Sequence, residues 1–133
     1  MISTIKSSDL PIATIVEGKA MSCGAILLSF GTEGYRFVDK DATVMIHDVS
    51  SGQLGKVEEV VASAKETERL NAVVYKMMAQ NCGKKDDYFL KLVDKKKHAD
   101  WFLNADECVK HGLANHTRVP KISVNVDVAI EFE

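Results

Sequence analysis

The sequence has few cysteines, little net charge and no long apolar run. Its three cysteines, Cys23, Cys82 and Cys108, form no CxxC pair, and their odd number excludes a simple disulfide framework. Unpaired cysteines are typical of a reducing compartment, so we expect a cytoplasmic protein. A formal charge of -2 gives no electrostatic reason to expect nucleic acid or an anionic membrane as a partner. No segment approaches the roughly 20 apolar residues of a membrane-spanning helix.

Two common kinds of site are also absent. No glycine-rich phosphate-binding loop is present, so any use of ATP would belong to a separate protein. His98, His111 and His116 have a spacing that matches no zinc pattern, which favours surface histidines over ligands. The sequence therefore predicts neither a metal nor a cofactor.

What the chain does have is enough apolar residues for one ordinary core. Its 133 residues are 46% hydrophobic and 27% charged, and no linker or repeat divides them, which predicts a single domain over residues 1–133.

The local patterns alternate between strand and helix signals, as in an α/β protein. Short β-branched runs predict strands over residues 11–17, 35–38 and 43–47. A small-then-apolar run predicts a helix that starts near Ser22 and stops at Gly31. The other predicted elements are a long amphipathic helix over residues 56–81, a helix over 86–96, a turn over 98–103, a helix capped by Asn104 and ended by Gly112, and an alternating, half-buried strand over 122–132 within the tail 117–133.

Residue types that serve serine hydrolysis lie at the ends of these elements. Ser22 is at a strand-to-helix junction, His47 ends a strand, and Asp100 lies in a turn before Trp101 and Phe102. Each also has a simpler interpretation. Ser22 would be a small residue at a tight helix start, His47 a core histidine, and Asp100 a turn or capping aspartate. Asp94, His98 and Asp106 leave the assignment of the third residue open.

Taken in order, three segments resemble the proteolytic subunit of Clp protease, a serine peptidase of the Clp/crotonase superfamily. "EGKAMSCGAILLSFG" is similar to the family's G-x-A-A-S-M-G-A nucleophile segment, and "ATVMIHDV" to its V-M-I-H-Q-P strand. "ADWFLNADECVKHGLAN" is similar to its R-D-x-F-(L/M)-x-x-x-E-A-x-x-Y-G-L-I-D segment. The resemblance covers residues 5 to about 116.

The resemblance implies a mechanism, a fold and an assembly. It implies that Ser22 is the nucleophile, His47 the general base and Asp100 the third triad member, with the backbone N–H of Cys23 in the oxyanion hole. It implies a Clp/crotonase-type fold of ββα units, in which residues 56–81 form a protruding handle helix and the C-terminal strand is an addition. It also implies a homo-oligomer, either a heptameric ring or stacked rings, that hydrolyses unfolded or extended polypeptides inside a chamber. A separate AAA+ ATPase would be its unfoldase.

The sequence departs from the family pattern at several points. Its start corresponds to a point well inside the family fold, so we expect the N-terminal part of that fold, with its glycine-rich oxyanion loop, to be missing. Asp48 and Val49 replace the usual Gln and Pro, and Ala99 replaces an Arg linked to contacts between rings. Cys23 beside the nucleophile is either a reactive thiol or a small core residue, and the sequence favours the second.

Other functions remain open at this point. One is a stand-alone phage-type peptidase that processes capsid proteins without an ATPase. Others are a catalytically impaired structural subunit, a truncated fragment of a peptidase, and a crotonase-like acyl-CoA enzyme, which the Ser, His and Asp set disfavours.

Overall fold

The structure, a computed structural model, describes residues 1–131 as a mixed α/β unit. Five helices and five short strands follow one another along the chain. They are α1 (Ile2–Lys6), β1 (Thr14–Val16), β2 (Lys19–Met21), α2 (Cys23–Ser29), β3 (Arg36–Val38), β4 (Thr43–Ile46), α3 (Val57–Asn81), α4 (Tyr88–Lys95), β5 (Trp101–Leu103) and α5 (Ala105–His111). Among the helices of these residues, none is both long enough and apolar enough to cross a membrane.

The strands form two small sheets. In the first, β1 pairs in parallel with β3. In the second, β4 lies in the middle, parallel to β2 on one side and antiparallel to β5 on the other. The register sets Met21 opposite Met45 and Ile46 opposite Trp101, so the C-terminal ends of β2 and β4 and the N-terminal end of β5 meet at one edge.

A single core lies between the strands and helices α2 to α5. Val44 and Ile46 of β4 are buried in it, together with Leu28 of α2 and Phe89 of α4. The long helix α3 takes part only through its C-terminal half, whose buried residues are Tyr75, Met78 and Ala79. By contrast, residues 51–62, which include the start of α3, are all exposed. Helix α3 is therefore packed at its C-terminal end and solvent-exposed at its start.

Buried Arg36 joins several of these elements. Its guanidinium donates to the carbonyls of Ser29 and Asn81, at 3.3 and 2.8 Å, and to the side-chain carbonyl of Asn115 at 3.2 Å. It also pairs with the carboxylate of Glu33. The C-terminal ends of α2 and α3 are thereby fixed to β3.

Most predicted elements are confirmed, with shorter bounds. The best-predicted helix is α5: Asn104 accepts the backbone N–H of Glu107 at 2.9 Å, the Glu107 carboxylate accepts the backbone N–H of Asn104 at 2.9 Å, and Gly112 ends the helix at a φ of 81°. The prediction of a plain turn over 98–103 is wrong, because Trp101–Leu103 form β5. The sequence analysis also missed α1 and the short strand β2 (Lys19–Met21), which leads into Ser22.

Gly31 is not the helix terminator that the sequence indicates. Helix α2 ends at Ser29, and the C-cap Phe30 has an ordinary φ of -88°. Gly31 is instead a point of close approach, since a Cβ there would lie 2.7 Å from Cγ of Arg36 and also clash with Oγ1 of Thr14.

The predicted C-terminal strand is not formed over the described residues. Residues 121–131 have neither helix nor strand assignment, and all are exposed. Alternation determines which side chains share a face, but a strand also needs a hydrogen-bonding neighbour. Residues 121–131 pair with no strand among residues 1–131. Phe132, the last residue of that prediction, lies outside the described residues.

Candidate active site at the edge of the central sheet

Ser22 follows β2 directly and is the N-cap residue of α2. Its backbone has φ 53° and ψ -113°, a combination that non-glycine residues rarely adopt and that costs on the order of 1–3 kcal/mol. The Ser22 N–H donates to the carbonyl of Met45 at 2.9 Å, which extends the β2–β4 pairing into the turn. The side chain makes no capping hydrogen bond, so its Oγ is not used to start the helix. Such strain is typical of a functional turn.

The start of α2 presents free backbone donors beside Ser22. Cys23 is the first helical residue, and the amides of the first turn have no carbonyl partner within the helix. The partial positive charge at this helix end favours an anion. These amides could stabilise an oxyanion formed next to Ser22.

His47 directly follows β4, one position past the last ladder pair of Ile46 and Trp101. Ser22 and His47 line one cavity of about 190 Å³. The rest of its wall includes Ser50, Val74, Tyr75 and Met78. The cavity is therefore apolar with a polar end that carries a hydroxyl and an imidazole.

Asp100 directly precedes β5, so the antiparallel register sets its backbone opposite that of His47. The structure therefore brings the backbones of Ser22, His47 and Asp100 to one edge of the β2–β4–β5 sheet. The Asp100 side chain is exposed and does not line the Ser22–His47 cavity. Within residues 1–131, no side-chain hydrogen bond joins Ser22 to His47 or His47 to Asp100.

A different histidine and carboxylate are in contact at this edge. Nδ1 of His98 lies 2.6 Å from Oδ2 of Asp48. Oδ1 of Asp48 accepts hydrogen bonds from Nδ2 of Asn71 at 2.7 Å and from the Tyr75 hydroxyl at 2.9 Å. Burial acts to raise the pKa of Asp48, but these three hydrogen bonds outweigh it, and the pKa lies below its usual value. Asp48 is therefore a carboxylate at neutral pH.

Sequence reasoning missed this cluster. In the sequence, Asp48 stands out only as a departure from the family pattern. His98 stands out only as a surface histidine and as a residue close enough to Asp100 to leave the third triad position open. The four-residue spacing of Asn71 and Tyr75 sets them on one face of α3, but it does not identify their partner. The contact between residues 48 and 98 spans 50 positions and needs the fold.

The cysteines and the remaining histidines take other positions. Cys23 is exposed, so the interpretation of it as a core residue is wrong. Burial raises the pKa of Cys82 to about 11 and that of Cys108 to about 12, which keeps both protonated at neutral pH.

Nδ1 of His111 lies 2.8 Å from the Tyr88 hydroxyl, and His116 stacks on Phe37. Residues 1–131 contain no group of three or more side chains suited to holding a metal ion.

The sequence is similar to a known protein family. The protein-family model described as Clp protease matches residues 1–120. The match includes β2, β4 and β5 with the residues at their shared edge, and the mixed α/β architecture is compatible with that family's fold. It ends where the exposed tail begins.

Proposed function

The chain belongs to the Clp protease family, and from this premise we propose that it is a serine endopeptidase with Ser22, His47 and Asp100 as its triad. Peptidase function follows from the family; the roles of the three residues are our inference. The observation that carries it is the register of the central sheet, in which Ser22, His47 and Asp100 directly flank β2, β4 and β5 at one edge.

In this mechanism His47 takes the proton from Oγ of Ser22 as Oγ attacks the peptide carbonyl carbon. The carbonyl oxygen becomes an oxyanion, which the backbone N–H of Cys23 stabilises. The intermediate then collapses, the C–N bond breaks, and His47 returns the proton to the leaving amine. Water hydrolyses the acyl-enzyme by the same steps. Asp100 orients the imidazole once its side chain turns toward His47.

The dimensions of the site favour an extended polypeptide as substrate. A cavity of about 190 Å³ holds a side chain or a short stretch of chain rather than a folded domain. We therefore propose unfolded polypeptides as substrates and a chamber built from copies of this chain as the place of hydrolysis. A separate AAA+ ATPase is the proposed source of unfolding for folded substrates, and the cytoplasm the proposed compartment.

The test is hydrolysis of a fluorescently labelled unfolded polypeptide by the wild type and by two serine variants. Ser22→Ala removes the proposed nucleophile, and we expect it to lose about 10⁴-fold or more in kcat. Ser50→Ala is the matched control, because Ser50 lines the same cavity and lies outside the proposed triad. Ser50→Ala removes a hydroxyl from the cavity wall but no reacting group, so its kcat should stay within about 10-fold of the wild-type value.

An assembled wild-type sample with no hydrolysis would contradict the proposal and favour a structural subunit. Equal activity of Ser22→Ala and the wild type would show that Ser22 is not the nucleophile.

A further inference from the structure

The contact between Asp48 and His98 lies immediately beside the proposed triad. Asp48 follows His47 in the chain, and His98 precedes Asp100 by two residues. The 2.6 Å hydrogen bond between Nδ1 of His98 and Oδ2 of Asp48 thus joins the two segments that carry His47 and Asp100. An ionised carboxylate can only accept, so Nδ1–H of His98 is the donor.

This cross-link, the hydrogen bond from His98 to Asp48, lies beyond the end of the β4–β5 ladder. The β4–β5 ladder ends at the pair of Ile46 and Trp101. His47 and Asp100 lie one position beyond that pair, so ladder hydrogen bonds do not fix their relative position. The next bond between the two segments is the one from His98 to Asp48.

The Asp48 side of the cross-link is anchored to α3. Tyr75 is fully buried and donates its hydroxyl to Oδ1 of Asp48 at 2.9 Å. Asn71 donates to the same oxygen at 2.7 Å, and its own Oδ1 accepts the backbone N–H of Val49 at 3.0 Å. Asp48 and its neighbour Val49, which directly follow His47, are therefore tied to a packed helix.

The His98 side is a strained turn between α4 and β5. Lys97 and His98 have φ values of 55° and 58°, both in the left-handed region. The charged groups facing the imidazole are Asp48 on Nδ1 and Asp94 on Nε2, the latter at 3.5 Å and largely exposed. Two successive left-handed residues are costly, and the bond to Asp48 offsets part of that cost.

We propose that Asp48 and His98 are positioning residues, and that their hydrogen bond sets the position of Asp100 relative to His47. The inference rests on the proposed function, because it assigns the pair a role toward that triad. Breaking the bond frees the turn, so that Asp100 meets His47 in the correct orientation for a smaller fraction of the time.

The test uses three variants of the full chain. His98→Gly removes the donor but accepts a positive φ at no cost, so it breaks the bond without backbone strain. His98→Asn keeps a donor near the position of Nδ1 and also tolerates the left-handed region. Asp94→Asn is the matched control on the other ring nitrogen.

With a short fluorogenic peptide, we expect His98→Gly to lower kcat by about 10-fold or more and to change KM less than about twofold. His98→Asn and Asp94→Asn should retain most of the wild-type kcat. Equal kcat for His98→Gly and the wild type would overturn the inference. An equal loss of kcat in His98→Asn and His98→Gly would also overturn it.

A second readout separates this inference from the proposed function. The ring signals of His47 in ¹⁵N-edited NMR spectra should shift in His98→Gly and stay near their wild-type positions in His98→Asn, whether or not the protein hydrolyses peptides. Unchanged His47 signals in His98→Gly would overturn the inference. An inactive wild type with the expected shifts would contradict only the proposed function.

Discussion

At the scale of single residues, Ser22 combines two properties that a simple capping serine lacks. Its backbone is strained, with a φ of 53°, and its Oγ makes no capping hydrogen bond. A serine that served only to start α2 would use its oxygen to accept an amide of the first turn. The exposed thiol of Cys23 beside it is a second polar group at the same helix start.

Ionised Asp48 stabilises the fold, and this contribution to the free energy of unfolding is lost at acid pH. Its folded-state pKa lies below the ordinary value of 3.8, because hydrogen bonds to the carboxylate outweigh the effect of burial. A lowered pKa gives a contribution that is complete above the unfolded-state value and is lost as the pH falls through the folded-state value. We expect Asp48→Asn to flatten the decline in the free energy of unfolding below about pH 4.

Urea unfolding at a series of pH values measures this effect. Asp41→Asn is the control, since the Asp41 side chain is 80% exposed and lies 3.6 Å from Nζ of the equally exposed Lys40. The free energy of unfolding of this control should decrease at low pH as it does in the wild type. If the free energy of unfolding of Asp48→Asn fell with pH as steeply as that of the wild type, the hydrogen bonds to Asp48 would not lower its pKa.

At the scale of elements, the tight contact of α2 with β1 and β3 depends on Gly31. A Cβ at residue 31 would lie 2.7 Å from Cγ of buried Arg36, so neighbouring atoms must move to accommodate it. We expect Gly31→Ala to lower the free energy of unfolding by about 1–3 kcal/mol. Chemical denaturation with a fixed m-value measures the change.

Gly24→Ala is the control for this substitution. A Cβ at residue 24 would meet only Cβ of Ala20, at an ordinary 3.4 Å, and alanine favours the helix. Its stability should equal or exceed that of the wild type. A neutral Gly31→Ala would instead support the interpretation of Gly31 as an ordinary helix end.

The elements that the sequence predicts well are those with local signals. Helix α5 has its cap residues at both ends, and α3 has an amphipathic pattern over 25 residues. Strand β5 has only three residues and exists because it pairs with β4, more than 50 positions away, so no local pattern indicates it. The same holds for the candidate site. Motifs indicate Ser22, His47 and Asp100 as candidates, whereas the contact of Asp48 with His98 depends on long-range packing.

At the scale of the whole molecule, exposed apolar side chains are concentrated in two places. The first half of α3 exposes Val57 and Val61, and the tail exposes an alternating set of Ile122, Val124, Val126, Val128 and Ile130. Both are candidates for contacts between subunits. The resemblance to the Clp family implies that α3 is a handle helix, and we propose that it stacks one ring on another.

We therefore expect the double variant Val57→Asp and Val61→Asp to reduce the assembly to the mass of a single ring, because it would bury charges in an apolar interface. Sedimentation velocity measures the mass. Val124→Asp places the same charge on the second candidate surface, the tail, and should leave the mass unchanged if α3 alone stacks the rings. Dissociation by Val124→Asp alone would assign the interface to the tail instead.

The central claim is that Ser22 is an activated nucleophile, and covalent labelling tests it most directly. The assembled protein is treated with a serine-directed fluorophosphonate probe, and the modified peptide is identified by mass spectrometry. We expect one adduct, on Ser22. It should disappear in Ser22→Ala, form much more slowly in His47→Ala, and form at a rate near that of the wild type in Ser50→Ala. An unlabelled assembled wild type, or an adduct on a residue other than Ser22, would contradict it.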